Sequence, residues 1–217
     1  MSRIVVINTR AANIHSVEKA LAKVGAEPLV TSDPGELDGA YAAVLPGVGA
    51  SDAAMRALAE AKLIEPVRRF AASGRPLLCV CLGMQVLFEK SDEGPLPTLG
   101  ILKGEVHLLP AGMTGPSGER LKVPHMGWNS VRFTYSGKRH PVFQGIPQGA
   151  HFYFVHSYHC VPADPADVTA TTSYGLDVCA AVARGGVVGT QFHPEKSGEV
   201  GLRIYRNFVA HAAKVKV

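Results

Sequence analysis

Short uninterrupted apolar runs alternate with stretches of helical period through the first part of the chain, and that rhythm limits the possible architectures more than any other feature. Residues 3–8, 27–31 and 41–46 read as strands, and residues 14–25 and 53–72 read as helices. Val17, Leu21 and Val24 recur at i, i+4 and i+7, giving the first helix one apolar stripe, and Gly25 closes it. Strands joined through helices run parallel, because a tight hairpin cannot connect parallel neighbours. The expected fold is therefore α/β: a doubly wound, mostly parallel sheet with helices on both faces. Beyond about residue 99 the pattern changes to strand-like segments at 104–109, 126–133, 151–158, 168–172, 178–183 and 187–192, separated by glycine and proline. These suggest a smaller antiparallel portion. A last helix begins near Gly198 with Val200, Ile204 and Phe208 on one stripe, and residues 112–118 read as a mobile surface loop.

With 217 residues, of which 47% are hydrophobic and 18% charged, the chain can bury its core as one domain spanning residues 1–217. Cys79, Cys81, Cys160 and Cys179 have no disulfide-framework spacing, which fits a reducing cytoplasm. The formal charge of +4 is scattered in short pairs such as Arg68-Arg69 and Lys138-Arg139. No basic run is interleaved with aromatics, so nucleic acid is not an expected partner. No apolar run approaches the roughly 20 residues of a membrane span, and the apolar run after Met1-Ser2-Arg3 is too short for a signal peptide.

Three segments carry chemistry. In the first, Leu77-Leu78-Cys79-Val80 leads into Cys81 and then Leu82-Gly83-Met84-Gln85, which reads as a strand turning sharply into a helix. A cysteine on such an elbow meets unsatisfied backbone N–H groups and the positive end of a helix, both of which favour thiolate. In the second, Gln191-Phe192-His193-Pro194-Glu195 ends an apolar strand. The proline keeps His193 extended, so that His193 and Glu195 project to one side and the carboxylate can orient the imidazole. A thiol, a histidine base and an orienting carboxylate are the parts of a covalent acyl-transfer triad. In the third, Pro46-Gly47-Val48-Gly49-Ala50-Ser51 follows a strand, and its glycines permit backbone N–H groups to face a developing oxyanion. A dinucleotide fingerprint would need a third glycine where Asp52 stands. His156 and His159, three apart in an extended run, point to opposite faces, so no metal is expected.

Together these segments resemble the class I, triad-type glutamine amidotransferases, whose Gly-x-Cys-x-Gly elbow and later His-x-Glu release ammonia from glutamine. Here the elbow reads Cys79-Val80-Cys81-Leu82-Gly83, with cysteine in place of the first glycine. The resemblance implies Cys81 as nucleophile, His193 as base and then acid, and Glu195 as its partner. It places the oxyanion donors at Val48, Gly49 and Leu82, and glutamine contacts at Gly47, Gln85, Glu93, Ser157 and Tyr158. It also implies that no cofactor is needed.

The segments Val123-Pro124-His125-Met126-Gly127-Trp128-Asn129, Tyr153-Phe154-Val155-His156-Ser157-Tyr158 and Glu195-Lys196-Ser197-Gly198 are similar to members that form a heterodimer with a (β/α)8-barrel cyclase subunit of histidine biosynthesis. That resemblance puts Asn13, Trp128 and Lys196 at the partner interface. The opening Asn8-Thr9-Arg10-Ala11-Ala12-Asn13 departs from the Asp-Tyr-Gly-x-Gly-Asn usual there, and Asn13 reads equally as a helix N-cap. Other amidotransferase subunits, γ-glutamyl hydrolase-like cysteine hydrolases and a catalytically silent partner domain remain as alternatives.

Overall fold

The computed structural model describes residues 3–9 and 14–215. The chain runs through β1 (Ile4–Ile7), α1 (Ile14–Lys23), β2 (Pro28–Thr31), α2 (Pro34–Asp38), β3 (Ala42–Gly47), α3 (Ser51–Glu60), α4 (Ile64–Ala72), β4 (Leu77–Cys81) and α5 (Leu82–Gln85). It continues with β5 (Lys90–Ser91), β6 (Gly104–Leu108), β7 (His125–Ser130), β8 (Arg132–Phe133), α6 (Tyr135–Arg139), β9 (His151–His156) and β10 (Tyr158–Pro162). Last come β11 (Val168–Ser173), β12 (Asp177–Arg184), β13 (Val187–Thr190) and α7 (Gly198–Lys214).

Eight strands form the main sheet in the order β2-β1-β3-β4-β13-β12-β11-β8. The first five are parallel, and β12, β11 and β8 continue antiparallel. Alternate residues of each parallel strand enter two separate cores, as a period of two requires. Ile4, Val6, Ala42, Val44, Leu78 and Val80 pack with α1 and α7 through Val17, Leu21, Ile204 and Phe208. Val5, Ile7, Ala43, Leu45, Leu77 and Cys79 pack with α2, α3 and α4 through Leu37, Met55, Leu58, Val67 and Phe70. The expected layering is therefore present. It sets β3, β4 and β13 side by side, so the loops leaving their carboxyl ends meet at one edge of the sheet.

Several boundaries differ from the reading of the sequence. The helix expected over 53–72 is two helices, separated by Lys62 at φ +55°. Pro66 is the reason: inside a continuous helix its ring would displace the residue-62 carbonyl, whereas in the first turn of α4 it is tolerated. The strand expected over 151–158 is β9 and β10, which separate at Ser157. β9 pairs with β7 in a two-stranded sheet, and β10 pairs with β6 in a three-stranded one. The run 126–133 is likewise broken at Val131, whose N–H goes to the Ala150 carbonyl. The 112–118 surface loop is closed on itself, with Glu119 accepting from the Ser117 backbone and hydroxyl.

The last helix sits where it controls the loop after β13. A Cβ on Gly201 would overlap the Pro194 carbonyl oxygen, so only glycine lets α7 lie this close to the segment carrying His193 and Glu195. Gly201→Ala is expected to cost about 2 kcal/mol or more, because the contact is with backbone that must move as a unit. Urea unfolding monitored by circular dichroism checks it; an unchanged midpoint would mean that α7 shifts freely.

Candidate active site

β4 ends in a residue that its own alternation would point into the α2–α4 core. Cys81 instead has φ +54° and ψ −111°, a conformation rarely adopted by a non-glycine residue, and its side chain joins the opposite cluster. Strain of this kind costs on the order of 1–3 kcal/mol and requires the surroundings to hold it. Two glycines do so. A Cβ on Gly83 would collide with the Leu45 carbonyl, and a Cβ on Gly47 would lie 2.8 Å from the Gly83 nitrogen. The turn and the β3 loop are thus locked together by close backbone contact. The helix that follows is a single turn, so a macrodipole adds little and the first-turn N–H of Leu82 is the relevant donor.

The cavity at this edge has a volume of about 280 Å³ and is lined by Val48, Gly49, Cys81, Leu82, Gln85, Glu93, Ser157, Tyr158 and His193, together with Pro124, Val155 and His156. Most of the catalytic and substrate residues singled out in the sequence therefore converge, although they come from five separate segments. Two do not line the cavity: Gly47 supports the elbow from behind, and Glu195 lies behind the His193 ring. Gly49 has φ +88°, a left-handed conformation that favours glycine, and a Cβ there would meet nothing within 4 Å. Glu93 is partly committed, since its Oε2 accepts from the Ser51 N–H at 2.6 Å, fixing the start of α3.

His193 and Glu195 do pair, with Nδ1 to Oε1 at 2.7 Å and both side chains almost fully buried. The geometry is not the strand alternation expected. Pro194–Lys196 forms a 3-10 turn, closed by Lys196 N to His193 O at 3.1 Å and by the Ser197 hydroxyl donating to the same carbonyl at 2.7 Å. His193 is tied to β9 as well, through its N–H to Tyr153 O at 2.9 Å. Burial pushes the imidazole pKa down, but interaction with Cys81 and with Glu195 outweighs it and raises the ring to about 10. Its Nε2 is buried and has no hydrogen-bond partner among the described residues, which leaves that nitrogen for a group in the cavity. The Tyr205 hydroxyl, donating to Glu195 Oε2 at 3.4 Å, completes the support of the carboxylate.

Cys79, the departure at the elbow, is completely buried, and its thiol is pushed far up by burial, so it stays protonated and is not a second reactive sulfur. His156 and His159 diverge: His156 Nε2 lies 3.0 Å from His125 Nδ1, while His159 on β10 faces His107 in register. Burial lowers the pKa of His156 to about 3 and that of His125 to about 4, so both are neutral rings. His156 Nδ1 reaches the Tyr158 carbonyl at 2.8 Å, which makes it the donor there and assigns the shared proton of the pair to His125.

Site members to which the sequence reading gives no role are Gln191, Val155, Pro124 and His156, the last backed by His125. Gln191 does carry a signal, a glutamine closing the apolar run Val187-Val188-Gly189-Thr190. Trp128 is 57% exposed on β7 beside Met126 at 62%, and it meets the Tyr153 ring edge-on; the Lys196 ammonium lies 5.7 Å from the centre of that same ring. Asn13 lies outside the described residues.

Residues 5–212 match the family described as glutamine amidotransferase class-I. The chain is 50% identical over 212 residues to the imidazole glycerol phosphate synthase subunit HisH of Methylococcus capsulatus, covering 96% of each chain. It is 47% identical over 216 residues to that of Moorella thermoacetica, covering 98% of each. Among solved structures, one titled as a glutamine amidotransferase superposes with a TM-score of 0.72 at 21% identity, covering 96% of this chain and 98% of the other. A chain of PurLQS from Thermotoga maritima superposes with a TM-score of 0.70 at 20% identity, covering 97% of this chain and 98% of the other. At such identities these two speak for the fold. The chain belongs to the class-I glutamine amidotransferase family and groups within it with the HisH subunits.

Proposed function

We propose that this chain is the glutaminase subunit of an imidazole glycerol phosphate synthase, hydrolysing glutamine to glutamate and ammonia and passing the ammonia to a (β/α)8-barrel cyclase subunit in a heterodimer. The observation that carries the catalytic part is that Cys81 and His193 line one cavity of amino-acid size, with the His193 ring paired to the buried Glu195. The pathway assignment rests on the near full-length identity to HisH subunits. No helix among the described residues is long and apolar enough to cross a membrane.

In this reading Cys81 Sγ attacks the side-chain amide carbon of glutamine. The N–H groups of Leu82 and of the Val48–Gly49 segment take the negative charge that develops on the amide oxygen. His193, held as an imidazolium, gives its Nε2 proton to the departing nitrogen, so ammonia leaves and a γ-glutamyl thioester remains. The neutral ring then takes a proton from water, the hydroxide equivalent adds to the thioester, and glutamate departs as the thiol is restored. Glu195 holds the ring with Nδ1 protonated throughout. Gln85, Glu93 and the Ser157–Tyr158 backbone face the amino-acid end of the substrate.

Met126, Trp128 and Lys196 supply an exposed surface on the same side as the loop after β13, which supports placing the cyclase there. Gly49 gives the oxyanion loop a rotation point, and an inward carbonyl in the absence of partner ligand would prevent wasteful hydrolysis.

Co-purification with the cyclase followed by a coupled assay tests the whole reading. Cys81→Ala is expected to abolish glutamine-dependent synthesis while the partner's ammonia-dependent rate is retained; loss of both would point to failed docking. If the isolated chain hydrolyses glutamine as fast as the ligand-bound complex, the rotation of the oxyanion loop controls nothing.

The raised His193 pKa has a defined pH signature. Because the folded value of about 10 lies above the ordinary 6.5, the protonated ring contributes stability that is complete below pH 6.5 and fades as pH rises toward 10. Glu195→Gln is expected to flatten that decline in a denaturant titration repeated across this range, and to lower kcat at least about 100-fold by loosening the ring. An unchanged slope would show that Glu195 does not hold the charge.

A further inference from the structure

We propose that Gln191 is a positioning residue for the nucleophile, its side-chain amide donating to Cys81 Sγ and held in that orientation through Gln85 by the Tyr158 carbonyl. The proposal rests on Cys81 being the nucleophile and goes beyond the residues assigned above. Gln191 lies just past the end of β13, and its side chain is completely buried. A primary amide at such a position costs stability unless its polar atoms are paired. Both are: Oε1 accepts from Gln85 Nε2 at 3.0 Å, and Nε2 points to Cys81 Sγ at 3.7 Å. Gln85 Nε2 also donates to the Tyr158 carbonyl at 3.0 Å.

The direction of this chain follows from its last member. A backbone carbonyl can only accept, so the Gln85 group facing it is the NH2. That same NH2 faces Gln191, so the Gln191 atom toward it is the oxygen, and the nitrogen is left for the sulfur. Reversing either amide would set donor against donor or acceptor against acceptor in a buried site. Sulfur therefore always meets an N–H here.

The other polar contact of Sγ is the Val155 carbonyl at 3.9 Å, which suits a thiol that donates. Once the proton has left, that oxygen faces a negative sulfur, and Gln191 supplies the favourable contact. The titratable groups around Sγ are His193, on the loop after β13, and Cys160 on β10, whose thiol burial holds protonated; Glu93, Tyr158 and His156, the last kept neutral by burial, line the same cavity. A methionine or leucine would fill the Gln191 site without desolvation cost if packing were its sole purpose. The amide thus serves the sulfur, and it links Sγ to the backbone at Tyr158 where the substrate's amino-acid end is placed.

The test uses the full chain carrying Gln191→Met or Gln191→Glu. The rate of Cys81 alkylation by iodoacetamide is followed from pH 5 to 10 by peptide mass spectrometry, and glutamine hydrolysis is measured in the complex with the cyclase. Gln191→Met is expected to move the midpoint of the alkylation profile upward, cutting the rate at pH 7 by about tenfold. Gln191→Glu keeps the contact to Gln85 but turns an oxygen toward sulfur, and is expected to move it further. In the complex, kcat falls in both, and KM for glutamine stays near wild type in Gln191→Glu.

Profiles superimposable on wild type in cooperatively folded variants would overturn the proposal. So would loss of cooperative unfolding in both, which would make the amide a packing element. If the wild-type complex does not hydrolyse glutamine while the alkylation shifts are seen, the glutaminase reading fails and the role of Gln191 stands.

Discussion

The Leu45 carbonyl oxygen lies so close to Gly83 that no side chain fits between them, and the site depends on this contact. It brings the strand-to-turn reversal after β4 against the end of β3. That closeness holds Cys81 at φ +54° and turns its sulfur out of the strand's own alternation into the cavity. Gly47 meets the same turn from the β3 side, so Cys81 and the loop at Val48 and Gly49 share one rigid base. Beyond Val48 and Gly49 the chain is fixed again at Ser51, where Glu93 takes the N–H. Sheet order supplies the third component, because β13 is the neighbour of β4 and delivers His193 across a single strand spacing.

Electrostatics then divides four histidines of the region into two kinds. His125 and His156 are sealed against aromatic rings and a backbone carbonyl, with no carboxylate beside them, and burial leaves them neutral. His159 on β10 is likewise lowered, mainly by burial. His193 is as deeply buried, yet it has Glu195 at 2.7 Å and a thiol for a neighbour, and it alone of the four is raised. Burial is common to all of them, and only at His193 do direct contacts, with Cys81 and with Glu195, outweigh it.

Much of this is legible in the chain. The alternation of apolar runs and helical stripes specifies the parallel sheet, and the cysteine, glycine and His-Pro-Glu segments point to one chemistry. What misleads is local rather than topological. Pro66 lies inside an otherwise helical pattern, and whether it kinks a helix or opens a new one depends on Lys62 adopting a left-handed turn. His193 and Glu195 share a side through a 3-10 turn stabilised by the Ser197 hydroxyl, not through strand alternation. Gly47 has the composition of a substrate loop, but its role is set by atoms from β4 and α5 that sequence spacing does not locate. Gln191 escapes notice because a lone polar residue closing an apolar strand gains meaning only once Gln85 and Cys81 lie beside it.

The extended run from His151 to Pro162 belongs to two sheets, with Ser157 at the changeover. Val155, paired with Met126 on the exposed tryptophan-bearing strand β7, sets its carbonyl 3.9 Å from the Cys81 sulfur, and from Tyr158 onward the same chain is tied to β6. The outer ribbon and the cavity floor are thus one continuous length of backbone, separated by no flexible connection longer than Ser157.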